Sequence, residues 1–138
     1  RKMEATKQIS KKLRVPLGRQ VYEYVLLRKI DDIPCILETT YIDCERFPDF
    51  DKYYNEKNSM GRVVKNIYHK KQVAGEERIS VTYASEHEAE FLEVPSETPL
   101  FFTSGIIEDE EGIVVMYYKQ LLRGDKFKFV SRIDNEQS

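Results

Sequence analysis

An arginine, a glutamate and a serine in the first half of the chain are residue types that build anion-binding pockets. Arg28 and Glu38 lie in two apolar runs separated by an acidic turn, and Ser59 precedes a helical pattern, with Gly61 and Arg62 beside it. The first N–H groups of a helix have no intrahelical acceptor, and a guanidinium can bind a phosphate or carboxylate bidentately. In the alternative interpretation, Arg28 pairs with a surface acid, Glu38 faces solvent and Ser59 only caps its helix.

Catalytic and metal-binding motifs are not found in the sequence. The two histidines, His69 and His87, and the two cysteines, Cys35 and Cys44, lack metal-ligand spacing. There is no nucleophile elbow, zinc-protease motif or Walker loop. We expect Cys35 to be a core residue and the other three to be solvated, and we predict no metal, no cofactor and no enzyme activity.

The composition fits one small domain that does not itself bind nucleic acid. The chain has 138 residues, of which 41% are hydrophobic, enough for one core. Its 22 basic and 24 acidic side chains give a net charge of -2, whereas a phosphate-binding surface normally requires a basic excess. Because no apolar run could span a bilayer and no signal peptide is recognisable, we expect a cytoplasmic protein without membrane contact.

Two strands and a helix should position the anion-binding candidates. Residues 21–30 and 35–42 are rich in β-branched and aromatic residues on either side of Asp31 and Asp32, which predicts a β-hairpin carrying Arg28 and Glu38. Behind Ser59, five apolar residues recur at the spacing of one helix face. These are Met60, Val63, Val64, Ile67 and Tyr68.

The rest of the chain predicts more strands and one short helix. Residues 77–84 alternate as a half-buried strand, with Ile79, Val81 and Tyr83 on one face. A capping-box pattern at Ser85 starts a short helix. Further strands are predicted over residues 100–107, 113–122 and 127–133. This order indicates an α+β fold, a largely antiparallel sheet with helices packed against it.

The order and spacing of several pieces then identify a family. They are Gly18 and Val21 before the first strand, Arg28, Pro34 and Glu38 in the hairpin, residues 89–92 with Pro99 and Leu100, Gly112, and residues 123–125 with Phe127 and Phe129. From about Leu13 to Phe129 the chain resembles the UTRA domain of GntR-type transcription regulators in the HutC branch.

The resemblance implies a chorismate-lyase-like fold that binds a small effector, forms a homodimer through its sheet region and passes the ligand state to an N-terminal winged helix. DNA would be bound only through that winged helix. Residues 1–12, polar and without a wide apolar face, are then predicted to be residual linker, and residues 13–138 the effector-binding domain.

The resemblance also implies site residues. Arg28 matches the second of two arginines, Glu38 the first of two acids and Ser59 the serine that line the pocket of family members binding sugar phosphates. The chain departs from that pattern at Leu26, Gly61 and Met116, where the first arginine, an aromatic residue and a glutamate are common. We therefore expect an anionic effector, such as a sugar phosphate or an organic acid, held less firmly through its anion.

Two alternative functions remain open at this stage. The fold resemblance to chorismate lyase suggests an enzyme that acts on an aromatic dicarboxylate. The other alternative is a dimerisation module without a ligand. Dimerisation is also suggested by four strand aromatics that exceed what one face of a small sheet can bury. These are Phe101, Phe102, Tyr117 and Tyr118.

Overall fold

A computed structural model of the chain describes residues 1–55 and 57–126. Its strands are β1 (Lys2–Glu4), β2 (Gln20–Ile30), β3 (Ile33–Asp43), β4 (Val73–Tyr83), β5 (Pro99–Glu108) and β6 (Val114–Arg123). Its helices are α1 (Lys7–Leu13), α2 (Phe50–Tyr53), α3 (Met60–Tyr68) and α4 (Glu86–Leu92). Within these residues the strands form one antiparallel sheet in the order β1-β2-β3-β6-β5-β4. The α+β prediction is confirmed, and the strand predicted over residues 127–133 lies outside the described residues.

Tight turns produce both predicted hairpins. Asp31 and Asp32 join β2 to β3 with φ angles of 51° and 63°, the left-handed conformation that matches the twist of a two-residue hairpin turn. The acidic turn between β5 and β6 contains Gly112 at a φ of 79°, where a residue without Cβ adopts the conformation most easily. The two hairpins meet where β3 pairs with β6, which forms the centre of the sheet.

The first twelve residues belong to the domain, so their assignment as linker is corrected. β1 pairs with β2 through Met3 and its neighbours, and α1 begins at the N-cap Thr6. Ala5, Ile9 and Leu13 are buried in a cluster with residues of β2, β3 and β6. Ile9 and Leu13 are four residues apart in α1 and therefore lie on one helical face, which is narrow but fully covered. Because most of residues 1–12 are polar, the spacing of the few apolar residues did not indicate a buried helix face.

The helices cover both faces of the sheet. Tyr22, Ile42 and Met116 pack with residues of α2 and α3. Their immediate neighbours Val21, Tyr41 and Tyr117 pack with α1 on the opposite face, because successive residues of a strand point to opposite sides. Leu27, Leu37 and Leu121 share that second face with α4. The face that carries α2 and α3 is called the cleft face below.

Three predictions about exposure are wrong. Ile79, Val81 and Tyr83 are 51%, 62% and 67% exposed, because β4 is the last strand of the sheet. Tyr117 is 1% exposed and stacks on Tyr41, so it belongs to the core and is not available to a partner. Ile67 of the predicted helix face is also exposed. The capping box of α4 is confirmed, with Ser85 as the N-cap.

Candidate functional site

A cleft of about 840 Å³ lies on the cleft face, between the sheet and the start of α3. Its floor is formed by side chains that pair across neighbouring strands, and its wall by Tyr54, Gln72 and the segment that begins α3. The lining residues that bear on its chemistry are Arg28, Glu38, Thr40, Asn58, Ser59, Gly61, Gln72, Glu77, Met116, Tyr118 and Gln120. Because this is a concave site with several convergent polar groups, it is the best candidate for ligand binding among the described residues.

One row of the floor holds Glu38 in a fixed position. Glu38, Gln120 and Thr103 are direct neighbours on β3, β6 and β5. The amide Nε2 of Gln120 donates to Glu38 Oε2 at 2.6 Å, and the buried hydroxyl of Thr103 donates to Gln120 Oε1 at 2.9 Å. Arg28 donates to the other oxygen of Glu38 at 3.1 Å. Glu38 is therefore an oriented carboxylate, and its side chain is 13% exposed.

The next row brings a second carboxylate to the cleft. Thr40, Tyr118, Gly105 and Glu77 are neighbours on β3, β6, β5 and β4. The hydroxyl of Tyr118 donates to Glu77 Oε2. Burial raises the pKa of Tyr118, and the hydrogen bond to Glu77 and the charges of Glu77 and Glu38 raise it further. The phenol is therefore a neutral donor that lies within the field of both carboxylates.

The cleft wall contains the N-terminus of α3, which is the positive end of the helix dipole. Ser59 is the N-cap of α3, and its hydroxyl accepts from the backbone N–H of Arg62 at 3.1 Å. Other N–H groups of this first turn have no intrahelical acceptor, and the helix dipole favours an anion there. Gln72 closes this end by donating to the backbone oxygen of Gly61 at 3.2 Å. A Cβ at Gly61 would lie 2.9 Å from the Gln72 amide, so the glycine makes this contact possible.

Five of the six predicted site residues line this cleft. Arg28, Glu38, Ser59 and Gly61 surround its polar end, and Met116 contributes a buried thioether to its floor. Arg62 does not line it. Its side chain is exposed, and its backbone N–H donates to the capping hydroxyl of Ser59. The pairing of Arg28 with Glu38 is the contact expected of the simple structural alternative, yet both groups also border the cleft.

Six polar lining residues were not predicted from the sequence: Thr40, Asn58, Gln72, Glu77, Tyr118 and Gln120. The last four lie just before β4, within β4 and in β6, far along the chain from Arg28. The alternation of β6 indicates that Tyr118 and Gln120 share a face. It does not indicate which strand lies next to β6, so their approach to Glu38 and Glu77 is visible only in the structure.

Two kinds of feature are absent from residues 1–55 and 57–126. No group of three or more His, Cys, Asp or Glu side chains is arranged to hold a metal ion. No helix there has both the length and the apolar character needed to cross a membrane.

Comparison with known proteins identifies relatives of the chain. The family model of the UTRA domain matches residues 1–128. An Escherichia coli K12 protein named "Probable fructoselysine utilization operon transcriptional repressor" is 25% identical over 126 residues, which are 91% of this chain and 51% of that protein. The chain thus spans about half the length of the curated relatives that it matches.

Solved structures share the fold. A GntR-family transcriptional regulator from Enterococcus faecalis V583 has a TM-score of 0.86 at 20% identity, covering 96% of this chain and 95% of that one. The effector domain of PhnF from Mycobacterium smegmatis also has a TM-score of 0.86 at 20% identity, covering 97% of this chain and 82% of that one. Both share the α+β architecture described above.

Proposed function

The chain belongs to the UTRA domain family, and we propose that it binds a small-molecule effector in the cleft on behalf of a GntR-type transcription regulator. The observation that carries the proposal is the cleft itself, about 840 Å³ in volume and lined by oriented polar groups. A pocket of this size suits a metabolite such as a sugar derivative or an organic acid. The name of the Escherichia coli relative adds fructoselysine to the compounds worth testing.

An anionic group of the effector would bind at the start of α3. The free N–H groups after Ser59 and the guanidinium of Arg28 both border this end of the cleft. Arg28 uses only one nitrogen to bind Glu38, and its side chain is 55% exposed, so it has donors left for a ligand. This anchor has a single arginine, because Leu26 stands where a second is common in the family.

Regulation would require parts beyond this domain. We infer that an N-terminal winged helix binds DNA and that β1 and α1 transmit the effector state to it, because they begin the domain and pack into its sheet. The domain alone, with a net charge of -2, would not bind DNA, and the regulator would work in the cytoplasm. A lyase-like enzyme is the alternative function. It is less favoured because the relatives are named as transcriptional regulators.

A homodimer would form through the outer edge of the sheet. Among the described residues β4 is a long edge strand whose outer side pairs with no other strand, and Ile79, Val81 and Tyr83 are exposed along one of its faces. Long edge strands with apolar side chains pair readily with another chain. A second copy placed across a two-fold axis would cover this surface.

Arginine variants test the anion anchor. We expect a thermal-shift screen of sugar phosphates, organic acids and fructoselysine to identify a stabilising ligand, measured together with chorismate turnover. Arg28→Ala should then weaken binding at least about tenfold, or 1.4 kcal/mol, because a charged donor is lost. Arg62→Ala is the matched control, since its side chain lies outside the cleft. Equal affinities of the two variants, or turnover of chorismate, would contradict the proposal.

A further inference from the structure

Glu77 reaches the cleft through an arrangement that spans three strands. Tyr118, Gly105 and Glu77 lie side by side on β6, β5 and β4. The ring of Tyr118 crosses over Gly105 to reach Glu77: a Cβ built on Gly105 would lie 2.5 Å from the Tyr118 oxygen and 2.7 Å from Cζ. Any side chain at residue 105 would therefore push the ring away. The glycine, the phenol and the carboxylate form one unit, which we call the Glu77 subsite.

The Glu77 carboxylate has hydrogen-bonding capacity to spare. In the part of the chain that the structure describes, its only side-chain partner is the hydroxyl of Tyr118, and no basic side chain lies within ion-pair distance. Arg78 points to Glu76 instead, which it binds at 2.9 Å. Glu38 differs, because it already accepts from Arg28 and Gln120. A ligand can thus hydrogen-bond to Glu77 without displacing a protein partner from it.

The charge of the cleft does not suit a ligand that is only anionic. Among the described lining residues, the groups charged at neutral pH are Arg28, Glu38 and Glu77, which sum to one negative charge. Arg28 and Glu38 pair with each other, whereas Glu77 is an exposed residue that lines the cleft without a basic partner among the described residues. The nearest lysines, Lys65, Lys70 and Lys71, line a neighbouring depression that shares only Gly61 and Gln72 with the cleft. A positive charge on the ligand would balance Glu77.

We propose that the effector carries an ammonium group, bound by the carboxylate of Glu77, in addition to the anionic group placed at the start of α3. This inference rests on the proposed function and defines the ligand class more closely, as a zwitterion. The hydroxyl of Tyr118 orients the carboxylate toward the cleft, so Tyr118 is a positioning residue. Because the ammonium is a multiple donor and Glu77 an acceptor only, exchange of the amine for a hydroxyl would lose the charge-assisted hydrogen bond.

Matched ligand pairs test the proposal. The probes are ω-aminoalkyl phosphates and ω-hydroxyalkyl phosphates of the same chain length, in a series from short to long, titrated into the domain by ligand-observed NMR and calorimetry. We expect the best aminoalkyl phosphate to bind at least about tenfold more tightly than its hydroxyl counterpart, the effect of a hydrogen bond to a charged group. Glu77→Gln, which keeps the shape and removes the charge, should abolish that preference.

The controls separate this proposal from the proposed function. Glu76→Gln, on the adjacent residue outside the cleft, should keep the amine preference. Tyr118→Phe should reduce it without abolishing phosphate binding, and this variant provides an independent readout if Glu77→Gln folds poorly. Phosphates that bind without an amine preference, or a preference that survives Glu77→Gln, would overturn the ammonium site alone. If no probe in the series binds, this proposal and the anion anchor at α3 are both overturned.

Discussion

The hydroxyl of Tyr24 is the one buried side-chain oxygen or nitrogen of the described residues that has no hydrogen-bond partner. It lies in an aromatic cluster, with ring contacts to Tyr22, Phe50 and Tyr54. Burial raises the pKa of Tyr24, so the phenol stays neutral. A buried hydroxyl without a partner loses its hydration and gains nothing in return. The ring of Tyr24 therefore contributes packing, whereas its oxygen lowers stability.

Removal of that oxygen should stabilise the domain. We expect Tyr24→Phe to raise the free energy of unfolding by about 1 kcal/mol, because the penalty for the unpaired hydroxyl disappears while the ring contacts remain. Tyr22→Phe is the control, since the Tyr22 hydroxyl donates to Asp51 at 3.2 Å and its loss should be neutral or destabilising. Urea unfolding measures both variants. A destabilised Tyr24→Phe domain would show that the hydroxyl is used after all.

At the scale of elements, Arg46 ties the start of the domain to the sheet. Its guanidinium donates to the backbone oxygens of Leu13 and Arg14 at the end of α1, each at 2.9 Å, and to that of Val114 in β6 at 3.1 Å. The same side chain lies 3.6 Å from the buried carboxylate of Asp43 at the end of β3. Since β3 also carries Glu38, the contacts of Arg46 connect the strand that forms the cleft floor with the end of α1.

The role of α1 as part of the core can be measured directly. Ile9 is 3% exposed, so Ile9→Ala should lower the free energy of unfolding by about 2 to 4 kcal/mol, through lost burial and the cavity left behind. Lys11→Ala, on the exposed side of the same helix, should change it by less than about 0.5 kcal/mol. If residues 1–12 were only a linker, both variants would unfold at the same urea concentration.

The elements with local signals could be predicted from sequence. Asp31 and Asp32 suit a hairpin turn, and Ser59 and Ser85 suit N-caps, because these preferences arise from the backbone of a few adjacent residues. α1 was missed because its two buried residues, Ile9 and Leu13, are separated by a serine and two lysines. The exposure of β4 was missed because alternation indicates that a strand has two faces, not which of them is covered.

The site residues also differ in whether a local signal in the sequence predicts them. Arg28, Glu38 and Ser59 could be proposed because family resemblance and helix capping attach to single positions. Glu77 could not, since its approach to Tyr118 depends on β4, β5 and β6 being neighbours in one register. A shift of one residue would turn Glu77 to the other face of the sheet. Gly105 carried a local hint, because a glycine within a strand often marks a close approach.

At the scale of the whole molecule, the two edges of the sheet differ. β1 is short, with three residues, and within the described part of the chain residues 24–30 of β2 have no strand partner on that side. β4 is 11 residues long and carries the exposed apolar side chains of Ile79, Val81 and Tyr83 on one face of its second half. The largest unprotected strand edge of the described residues is therefore β4. Natural proteins usually protect such edges with charges or cover them, and a partner subunit provides that cover.

A charged substitution on this edge should separate the proposed dimer. Val81 lies in the middle of the exposed row, so Val81→Asp would place two carboxylates near a two-fold axis, where their desolvation and repulsion oppose association. We expect sedimentation velocity to show a dimer for the unmodified domain and a monomer for Val81→Asp. Val25→Asp is the matched control, because Val25 is 55% exposed on β2, at the opposite end of the sheet. A monomeric unmodified domain at high micromolar concentration would contradict the homodimer, whereas a dimer disrupted by Val25→Asp alone would assign the interface to β2.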